Sequence, residues 1–319
     1  MAPPAAALVV VVGPTASGKS ALALRVARAR AGEIVSCDSL QVYRGLDIGS
    51  AKPTREERAE VRHHLVDVAD PAEAFSAASY ARLARAALGH IAARGRLPIV
   101  AGGTGLYLRA LLQGLFEGPS RDEAFRGRLE ALAGRFGDAR LHRLLARLDP
   151  EAAARIRPRD RVRVVRALEV YRVTGRPISE QQRSGSEPLR GFRGLVVGLD
   201  PGRAELRKAV EARTREMFAR GLVEEVRGLL GAGYAAGLRP LRAIGYRQAV
   251  AVARGEMSVA EAEDATVTET MRFAKRQRTW FRHQQPDVEW FTHADEAFVA
   301  VLRWLDELPG EASGERRSS

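Results

Sequence analysis

The chain has 319 residues, 45% of them hydrophobic, which is enough for one large domain or two smaller ones and argues against global disorder. Its formal net charge of +12 predicts a surface that attracts polyanions such as nucleic acids, unless the basicity only reflects an arginine-rich composition. A single cysteine, Cys37, and six histidines without H-x-x-x-H spacing exclude a disulfide framework and argue against a zinc site.

The first residues form an apolar run that leads straight into a glycine-rich loop, with no basic segment before it. We therefore expect a buried strand here rather than a signal peptide. No apolar run approaches the ~20 residues that span a bilayer, so we expect a soluble, cytoplasmic protein.

Short apolar runs rich in β-branched residues alternate with helical patterns through much of the chain. We predict strands over residues 9–12, 33–38, 97–103, 194–200 and, at a sheet edge, 288–291. The helices predicted between them include 19–30, one that Thr54 and Glu57 open with a capping box, and one from about 76 to 94. Strands that alternate with helices indicate an α/β fold with a parallel, doubly wound sheet.

Residues 119–193 interrupt this alternation, because they are rich in arginine and contain no convincing strand. Helical patterns cover residues 122–136, 138–148 and 161–173. Residues 183–194 have the composition of a loop. We predict a helical insertion domain over 119–193, between the two parts of a core formed by 1–118 and 194–308. The Gly/Ser/Glu/Arg-rich tail, 309–319, is expected to be disordered.

Residues 13–20, GPTASGKS, fit the phosphate-binding pattern G-x-x-x-x-G-K-[ST] and stand between a predicted strand and a predicted helix. In such a loop, backbone N–H groups hold phosphate oxygens, Lys19 supplies a positive charge and Ser20 offers a hydroxyl to Mg²⁺. The candidate phosphate ligands are Gly13, Pro14, Thr15, Ala16, Ser17, Gly18, Lys19 and Ser20. The context predicts a P-loop NTPase-like sheet, but kinases, ATPases and GTPases share the loop, so it does not identify the reaction.

Two further strand ends carry polar candidates, at the sheet edge where open α/β folds bind their ligands. Asp38 ends the second predicted strand and could hold Mg²⁺ through water, accept a proton from a nucleophile, or only cap the following segment. Asp200, which ends the strand over 194–200, could equally be the Mg²⁺-binding aspartate. Thr104 follows two glycines after the third strand and could project its hydroxyl into the cleft, although the glycines could serve only a tight turn.

Together these segments resemble one family, the bacterial-type tRNA dimethylallyltransferases, also called tRNA isopentenyltransferases. The matching stretches cover most of the chain from residue 9 to about residue 282 and are, in order, GPTASGKS, DSLQVYRGLDIGSAKP, HHLVDV, GGTGLYLRALLQGL, RDRVRVVRALEVYRVTGRPIS, RAIGYRQ and AKRQRTWFR. The second, fourth and sixth stretches are much more specific than the loop. Departures are small: Cys37 stands where the family often has a small residue, Ser20 replaces the common threonine, and the eukaryotic zinc-finger extension is missing.

The resemblance implies transfer of a dimethylallyl group from dimethylallyl diphosphate to N6 of adenosine 37, beside the tRNA anticodon, with diphosphate as the leaving group. It implies Asp38 as the base that takes the amine proton and Thr104 beside the reacting atoms. Arg242 and Arg247 are the candidate arginine ligands of the diphosphate, since their fork-shaped donors suit it. The phosphate loop predicts Mg²⁺ as the cofactor, with Ser20 as its ligand, although the sequence does not distinguish Mg²⁺ from Mn²⁺. The family suggests a monomer.

The same resemblance implies several tRNA contacts. They are Asp38, Ser39, Leu40 and Gln41; Thr104; Arg126; Val162, Arg163, Val164, Val165 and Arg166; and Arg242, Ala243, Ile244, Gly245, Tyr246 and Arg247. Gln41 carries an amide that suits the edge of an extruded adenine. A helical wheel of the late stretch predicts a basic arc, which either contacts tRNA or is simply solvated, opposite a core-facing aromatic side. The arc comprises Arg272, Lys275, Arg276, Arg278 and Arg282, and the aromatic side comprises Phe273, Trp280 and Phe281.

Three other functions share some of these features. A P-loop small-molecule kinase would use the same loop and Mg²⁺, and an isopentenyltransferase could act on free adenine nucleotides. The long basic insertion argues against a free nucleotide, which needs no second domain. A non-catalytic RNA-binding protein with a relic loop is the third, and the intact Lys19, Ser20, Asp38 and Thr104 argue against it. The loop is of the kind often termed ATP-binding, but this does not imply hydrolysis.

Overall fold

The computed structural model of this protein describes residues 5–116, 118–119, 121–184, 187–285 and 287–308. The strands found there are β1 (Ala6–Val12), β2 (Gly32–Cys37), β3 (His63–His64), β4 (Leu97–Gly102), β5 (Phe192–Leu199) and β6 (Glu289–Phe291). They form one parallel sheet in the order β3-β2-β4-β1-β5-β6. The predicted α/β fold with a parallel sheet is therefore confirmed.

The structure differs from the sequence predictions at two places. β3 was not predicted, because two residues that pair with β2 leave no periodic signal in the sequence. The predicted loop over 183–194 is wrong at its end, since β5 begins at Phe192 and pairs there with Ala6. The physical reason is that backbone pairing with β1 continues beyond the apolar run that marks the centre of the strand.

Helices cover both faces of the sheet, as a parallel sheet requires. The helices that belong with the sheet are α1 (Lys19–Ala29), α2 (Arg55–Glu60), α3 (Ala77–Ala93), α4 (Gly105–Gln113), α10 (Arg203–Ala219), α11 (Leu222–Gly231), α12 (Tyr246–Ala253), α13 (Val259–Gln284) and α14 (Ala294–Asp306). The predicted capping box of α2 is confirmed, because Thr54 Oγ1 accepts from Glu57 N and a Glu57 carboxylate oxygen accepts from Thr54 N. None of the described helices has the length and apolar character that crossing a membrane requires.

The register of the sheet places three connecting turns side by side. Gly102, the last residue of β4, lies opposite Val12 of β1 and Cys37 of β2. The segments that follow these three strands are the loop over 13–20, the turn that starts at Asp38 and the turn that contains Thr104. All three therefore leave the sheet at its carboxyl edge, where open α/β sheets bind ligands.

The chain divides into two compact units, residues 1–111 with 189–319, and residues 112–188. The second unit consists, within its described residues, of α5 (Glu123–Phe136), α6 (Asp138–Leu148), α7 (Pro150–Arg155), α8 (Arg161–Thr174) and α9 (Ile178–Ser184). These helices surround their own apolar cluster, which includes Leu141 and Leu145. The unit begins and ends a few residues earlier than the expected insertion over 119–193. The tail over 309–319 lies outside the described residues.

Candidate active site

The loop between β1 and α1 has the backbone features of a phosphate-binding loop. Gly18 adopts a left-handed conformation with φ +87° at the helix N-cap, a conformation that favours glycine. Ser17 Oγ is buried and has no hydrogen-bond partner among the described residues. Because α1 begins at Lys19, its N-terminal N–H groups face the same loop. The loop therefore offers several donors that a phosphate group can satisfy.

Two cations flank this loop without a carboxylate partner in the described part of the chain. Lys19 Nζ donates to Pro14 O at 3.1 Å, and Arg213 donates to Thr15 Oγ1 at 3.3 Å. Burial, and secondarily the charge of Arg213, lowers the pKa of Lys19 to about 8, while Asp38 opposes the shift. Burial also lowers the pKa of Arg213. Two cations with no acidic ion-pair partner among the described residues are suited to a multiply charged anion.

The turns after β2 and β4 are joined by two hydrogen bonds around Asp38. Thr104 N donates to Cys37 O at 3.1 Å, and Ser39 N donates to Thr104 Oγ1 at 3.1 Å. Asp38 Oδ1 accepts from Leu40 N at 2.8 Å, so the carboxylate caps its own turn, as one of the three sequence interpretations held. No described residue bonds to Asp38 Oδ2. One carboxylate oxygen is therefore used to hold the turn, and the other is available to a ligand.

A cavity of about 350 Å³ adjoins these parts, and of the loop over 13–20 it is lined by Thr15 and Ala16 but not by Lys19. The lining residues that bear on chemistry are Thr15, Asp38, Thr104, Arg213, Arg242 and Gln277. Aromatic rings of Tyr43, Phe75 and Tyr107 also line it, and Tyr107 stacks on the buried Tyr80 with ring centroids 4.3 Å apart. The cavity thus combines a cationic anion site, a carboxylate, a hydroxyl and an apolar aromatic surface.

The alternative role of Asp200 in binding Mg²⁺ is not supported by the structure. Its two carboxylate oxygens form ion pairs with Arg278 and Arg282, both from α13. The carboxylate is therefore neutralised by guanidinium groups and serves to attach α13 to the end of β5. The sequence could not decide this, because the two arginines lie about 80 positions away along the chain.

A metal site built from protein ligands alone is absent from the described residues, which contain no group of three or more His, Cys, Asp or Glu side chains able to hold an ion. Burial raises the pKa of the Cys37 thiol to about 12, so this thiol stays protonated at neutral pH. Ser20 follows Lys19 at the start of α1 and is exposed. A single hydroxyl beside a phosphate site fits Mg²⁺, which prefers phosphate oxygens and retained water to a full protein cage.

Of the residues predicted to contact the extruded adenine, several line the cavity and others do not. Ser39, Leu40, Ala243, Ile244 and Gly245 line it. Gln41 does not: its Oε1 accepts from Ser36 Oγ at 2.7 Å, and its Nε2 donates to Ala51 O at 3.0 Å and Ser50 O at 3.3 Å. This geometry favours a structural role for Gln41 over a contact with adenine.

The segment over 242–247 is divided in the same way. Arg242 lines the cavity, whereas Arg247 pairs with Glu269 and does not. Tyr246 is fully buried, and its hydroxyl donates to Glu225 at 2.8 Å. The other carboxylate oxygen of Glu225 accepts from the main-chain N–H groups of Asp47 and Ile48. Tyr246 therefore helps to hold a loop in place rather than reaching toward RNA.

In the second unit, the predicted tRNA contacts separate into buried and exposed residues. Val164 and Val165 are 1% and 3% exposed, so their side chains belong to the apolar core. Arg126 and Arg166 both pair with Glu169, a fully buried carboxylate. Val162 and Arg163 are exposed and remain available to RNA.

The basic arc predicted on α13 is present in part. Arg272, Lys275 and Arg276 are exposed, while Arg278 and Arg282 are engaged with Asp200. On the opposite side Phe281 is buried, but Phe273 is 38% exposed and lines the cavity, contrary to its predicted place in the core. The difference arises because the face of a helix that lines a ligand cavity is as apolar as one that faces a core.

Sequence reasoning missed Arg213 and Gln277. Arg213 lies on α10 three residues after Val210, and Val210 and Thr214 belong to the buried stripe of this helix. A charged residue at the border of such a stripe was the signal that could have identified it. For Gln277 no comparable signal exists, since glutamine is common on both faces of a helix.

Comparison of the amino-acid sequence with known proteins identifies a family. The sequence model of IPP transferases matches residues 41–284, more than half of the chain. The chain belongs to the IPP transferase family. Among the family's curated members, the tRNA dimethylallyltransferase of Solibacter usitatus is 52% identical over 283 residues, which are 89% of this chain and 92% of that protein. The tRNA dimethylallyltransferase of Anaeromyxobacter sp. (strain Fw109-5) is 53% identical, with 89% and 93% coverage.

Solved structures of family members agree as well. A full-length tRNA isopentenylpyrophosphate transferase from Bacillus halodurans is 37% identical, has a TM-score of 0.68, and matches over 94% of this chain and 95% of its own. A eukaryotic dimethylallyltransferase acting on tRNA has a TM-score of 0.75 over 97% of this chain and 81% of its own. At 24% identity this second likeness concerns the fold. Membership in the family makes this chain a transferase, and the comparisons give no support to the kinase alternative.

Proposed function

We propose that this protein transfers a dimethylallyl group from dimethylallyl diphosphate to N6 of adenosine 37 in the tRNA anticodon loop. The observation that carries the proposal is the cavity in which the unneutralised Arg213, Asp38 and Thr104 face one space beside the P-loop. The carboxylate beside this cavity can accept the proton of an attacking nucleophile. The relatives' names give the reaction class, and the cavity gives each group a role.

The anion end of the site suits a diphosphate leaving group. Negative charge accumulates on the departing oxygen as the allylic carbon–oxygen bond breaks. The loop N–H groups, the Lys19 ammonium and the Arg213 guanidinium offset that charge, and Arg242 adds a second guanidinium on the cavity wall. Burial lowers the pKa of both Lys19 and Arg213, and a bound anion would oppose that shift by stabilising their charged forms.

The acceptor end of the site suits a weakly nucleophilic amine. The exocyclic amine of adenine becomes strongly acidic as it bonds to carbon, so a carboxylate within hydrogen-bond reach removes its proton. Asp38 offers its second carboxylate oxygen for this purpose. Thr104 Oγ1 already accepts a hydrogen bond from Ser39, so its own hydrogen is free to be donated to the bridging oxygen of the donor.

Mg²⁺ belongs to the proposal as a partner of the diphosphate. Ser20 would be its protein ligand, together with phosphate oxygens and water, and when bound it would neutralise charge on the leaving group. Lys19, Arg213 and Arg242 are the cations that the protein itself would supply to the diphosphate.

We also propose that exposed basic residues bind the tRNA backbone and that the protein is a cytoplasmic monomer. Arg272, Lys275 and Arg276 on α13 and Arg163 on α8 are exposed and suited to phosphate backbone. The target base must leave the loop stack to reach the cavity, because the reacting groups lie inside it.

A direct assay tests the proposal. Purified protein is incubated with Mg²⁺, an unmodified anticodon stem-loop and either dimethylallyl diphosphate or ATP, and the digested nucleosides are analysed by mass spectrometry. We expect a prenylated adenosine at position 37 and release of diphosphate, and no product from a stem-loop with guanosine at that position. Formation of ADP without a modified nucleoside would support the kinase instead, and faster prenylation of AMP than of the stem-loop would support the free-nucleotide enzyme.

A further inference from the structure

Gln277 carries a buried amide that joins the phosphate-binding loop over 13–20 to the turn containing Thr104. Its side chain is 7% exposed and lines the cavity. Gln277 Oε1 accepts from Thr15 N at 2.9 Å, and Gln277 Nε2 donates to Gly103 O at 2.9 Å. Both ends of the amide are therefore engaged, one with each segment.

The helix that carries Gln277 approaches this turn unusually closely. A Cβ added at Gly103 would lie 2.4 Å from Gln277 Nε2, and one added at Gly105 would lie 2.2 Å from the ring of Trp280. Gln277 and Trp280 are three residues apart and share a face of α13. The glycines on either side of Thr104 thus allow α13 to contact the turn directly, and the position of Thr104 depends on that contact.

This bridge connects the two halves of the reaction. On one side, Thr15 belongs to the loop that flanks the anion site, and its hydroxyl accepts from Arg213. On the other side, Thr104 follows Gly103 and bonds to Ser39, the neighbour of Asp38. Transfer between a bound donor and a bound amine depends steeply on the distance between them, and a misplacement of about 1 Å costs about a hundredfold in rate.

We propose that Gln277 is a positioning residue that sets the spacing between the diphosphate site and the Thr104–Asp38 pair. It acts through Thr15 and Gly103 and takes no part in bond making or proton transfer. This inference rests on the proposed function, and it predicts a defect in the transfer step that is separate from folding and from tRNA binding.

The first test replaces Gln277 by leucine, which keeps the volume approximately and removes both hydrogen bonds. Transfer is followed in single-turnover reactions, with the stem-loop limiting and the enzyme and donor saturating. We expect the rate constant of Gln277→Leu to fall about a hundredfold, with the stem-loop dissociation constant within twofold of the wild-type value. The matched control is Gln284→Leu, since Gln284 is exposed on the same helix, and it should react at the wild-type rate.

The second test displaces the Gln277 amide without removing it. Gly103→Ala places a methyl group against Gln277 Nε2 and should slow transfer to a similar extent. When Gly103→Ala is combined with Gln277→Ala, which vacates that space, the added methyl group should cause little further loss of transfer rate. A double-mutant cycle therefore predicts strong non-additivity between positions 103 and 277.

The readouts distinguish positioning from simple stabilisation. A residue that only stabilises the fold would lower the melting temperature and the amplitude of the single turnover while leaving its rate constant unchanged. A Gln277→Leu rate within twofold of the wild type, or additive effects in the cycle, would overturn the inference. If the wild-type protein itself transfers nothing to the stem-loop, the proposed function fails instead, so the two failures are distinct.

Discussion

The hydroxyl oxygen of Thr104 accepts a hydrogen bond from the main-chain N–H of Ser39 at 3.1 Å, which fixes the turn after β4 against the turn that carries Asp38. Thr104 N donates in return to Cys37 O, also at 3.1 Å. Thr104 thus holds the proposed base in place by its backbone and its side chain, and it keeps one hydroxyl hydrogen for a ligand.

This arrangement predicts different outcomes for two substitutions at Thr104. Thr104→Ser keeps the hydroxyl and should retain most of the turnover. Thr104→Val keeps the shape but removes the hydroxyl, and should lower kcat about a hundredfold because a donor to the leaving oxygen is lost. Steady-state prenylation of the stem-loop measures both variants, and equal turnover of the two would contradict the role of the hydroxyl.

Asp38→Asn should separate proton removal from the structure of the turn. The amide oxygen of asparagine can still accept from Leu40 N, so the turn and tRNA binding should be preserved. Turnover should fall by a factor of about 10² to 10⁴, because the amide cannot take the amine proton. Filter binding of the stem-loop and product formation are measured on one preparation, and unchanged turnover would remove Asp38 as the base.

The lowered pKa of Lys19 predicts a pH dependence of donor binding. Its pKa is about 8 in the free protein, so the ammonium is present below pH 8 and is lost as the pH rises above it. The affinity for inorganic diphosphate should therefore weaken above pH 8, by at most about tenfold per pH unit. Calorimetric titration from pH 7 to 9.5 measures this slope.

The matched variant for that titration is Lys19→Arg, whose guanidinium keeps its charge throughout this range. Its diphosphate affinity should change little with pH, whatever its absolute value. A wild-type affinity that does not vary between pH 7 and 9.5 would show that Lys19 does not bind the anion as a cation.

Arg213 and Arg247 should differ strongly in their effect on the donor. Arg213 faces the loop and has no acidic ion-pair partner among the described residues, whereas Arg247 pairs with Glu269 outside the cavity lining. Arg213→Gln should weaken donor binding about tenfold or more, as expected for a lost charged hydrogen bond. Arg247→Gln should leave the Michaelis constant for the donor within about twofold, and the reverse order would reassign the diphosphate ligand.

Glu169 should control the stability of the second unit. Burial alone would raise its pKa, but hydrogen bonds from Arg126, Arg166 and the Asp122 N–H outweigh it and lower the pKa to about 2. This carboxylate therefore stabilises the folded unit above about pH 4.5, and the contribution, about 3 kcal/mol, is lost as the pH falls toward 2. Urea unfolding of wild type and Glu169→Gln should show a difference at pH 7 that shrinks in acid.

The control for that measurement is Glu151→Gln, because the Glu151 side chain is 46% exposed and its pairing with Arg183 lies at the surface. Its effect should stay below about 1 kcal/mol at any pH. A pH-independent difference between wild type and Glu169→Gln would exclude the carboxylate's charge as the source of stability.

Much of the fold and part of the site follow from local patterns. The strand–loop–helix at residues 13–20 and the parallel sheet are confirmed, because β-branched runs and glycine positions are local signals. β3 is two residues long and remained hidden, since its pairing with β2 is formed by backbone groups that any sequence provides. Gln41 was predicted to contact the extruded adenine, whereas its amide forms hydrogen bonds with Ser36, Ser50 and Ala51.

The sequence by itself determined the phosphate loop, the carboxylate and hydroxyl at two further strand ends, and the resemblance to a family of tRNA-modifying enzymes. Only the tertiary structure decided that Asp200 is neutralised by arginines, that Arg213 stands at the loop, and that Gln277 joins the loop to Gly103. The reason is physical. Local patterns report which face of an element is apolar, while ion pairs and buried amides depend on which elements meet across the carboxyl edge of the sheet.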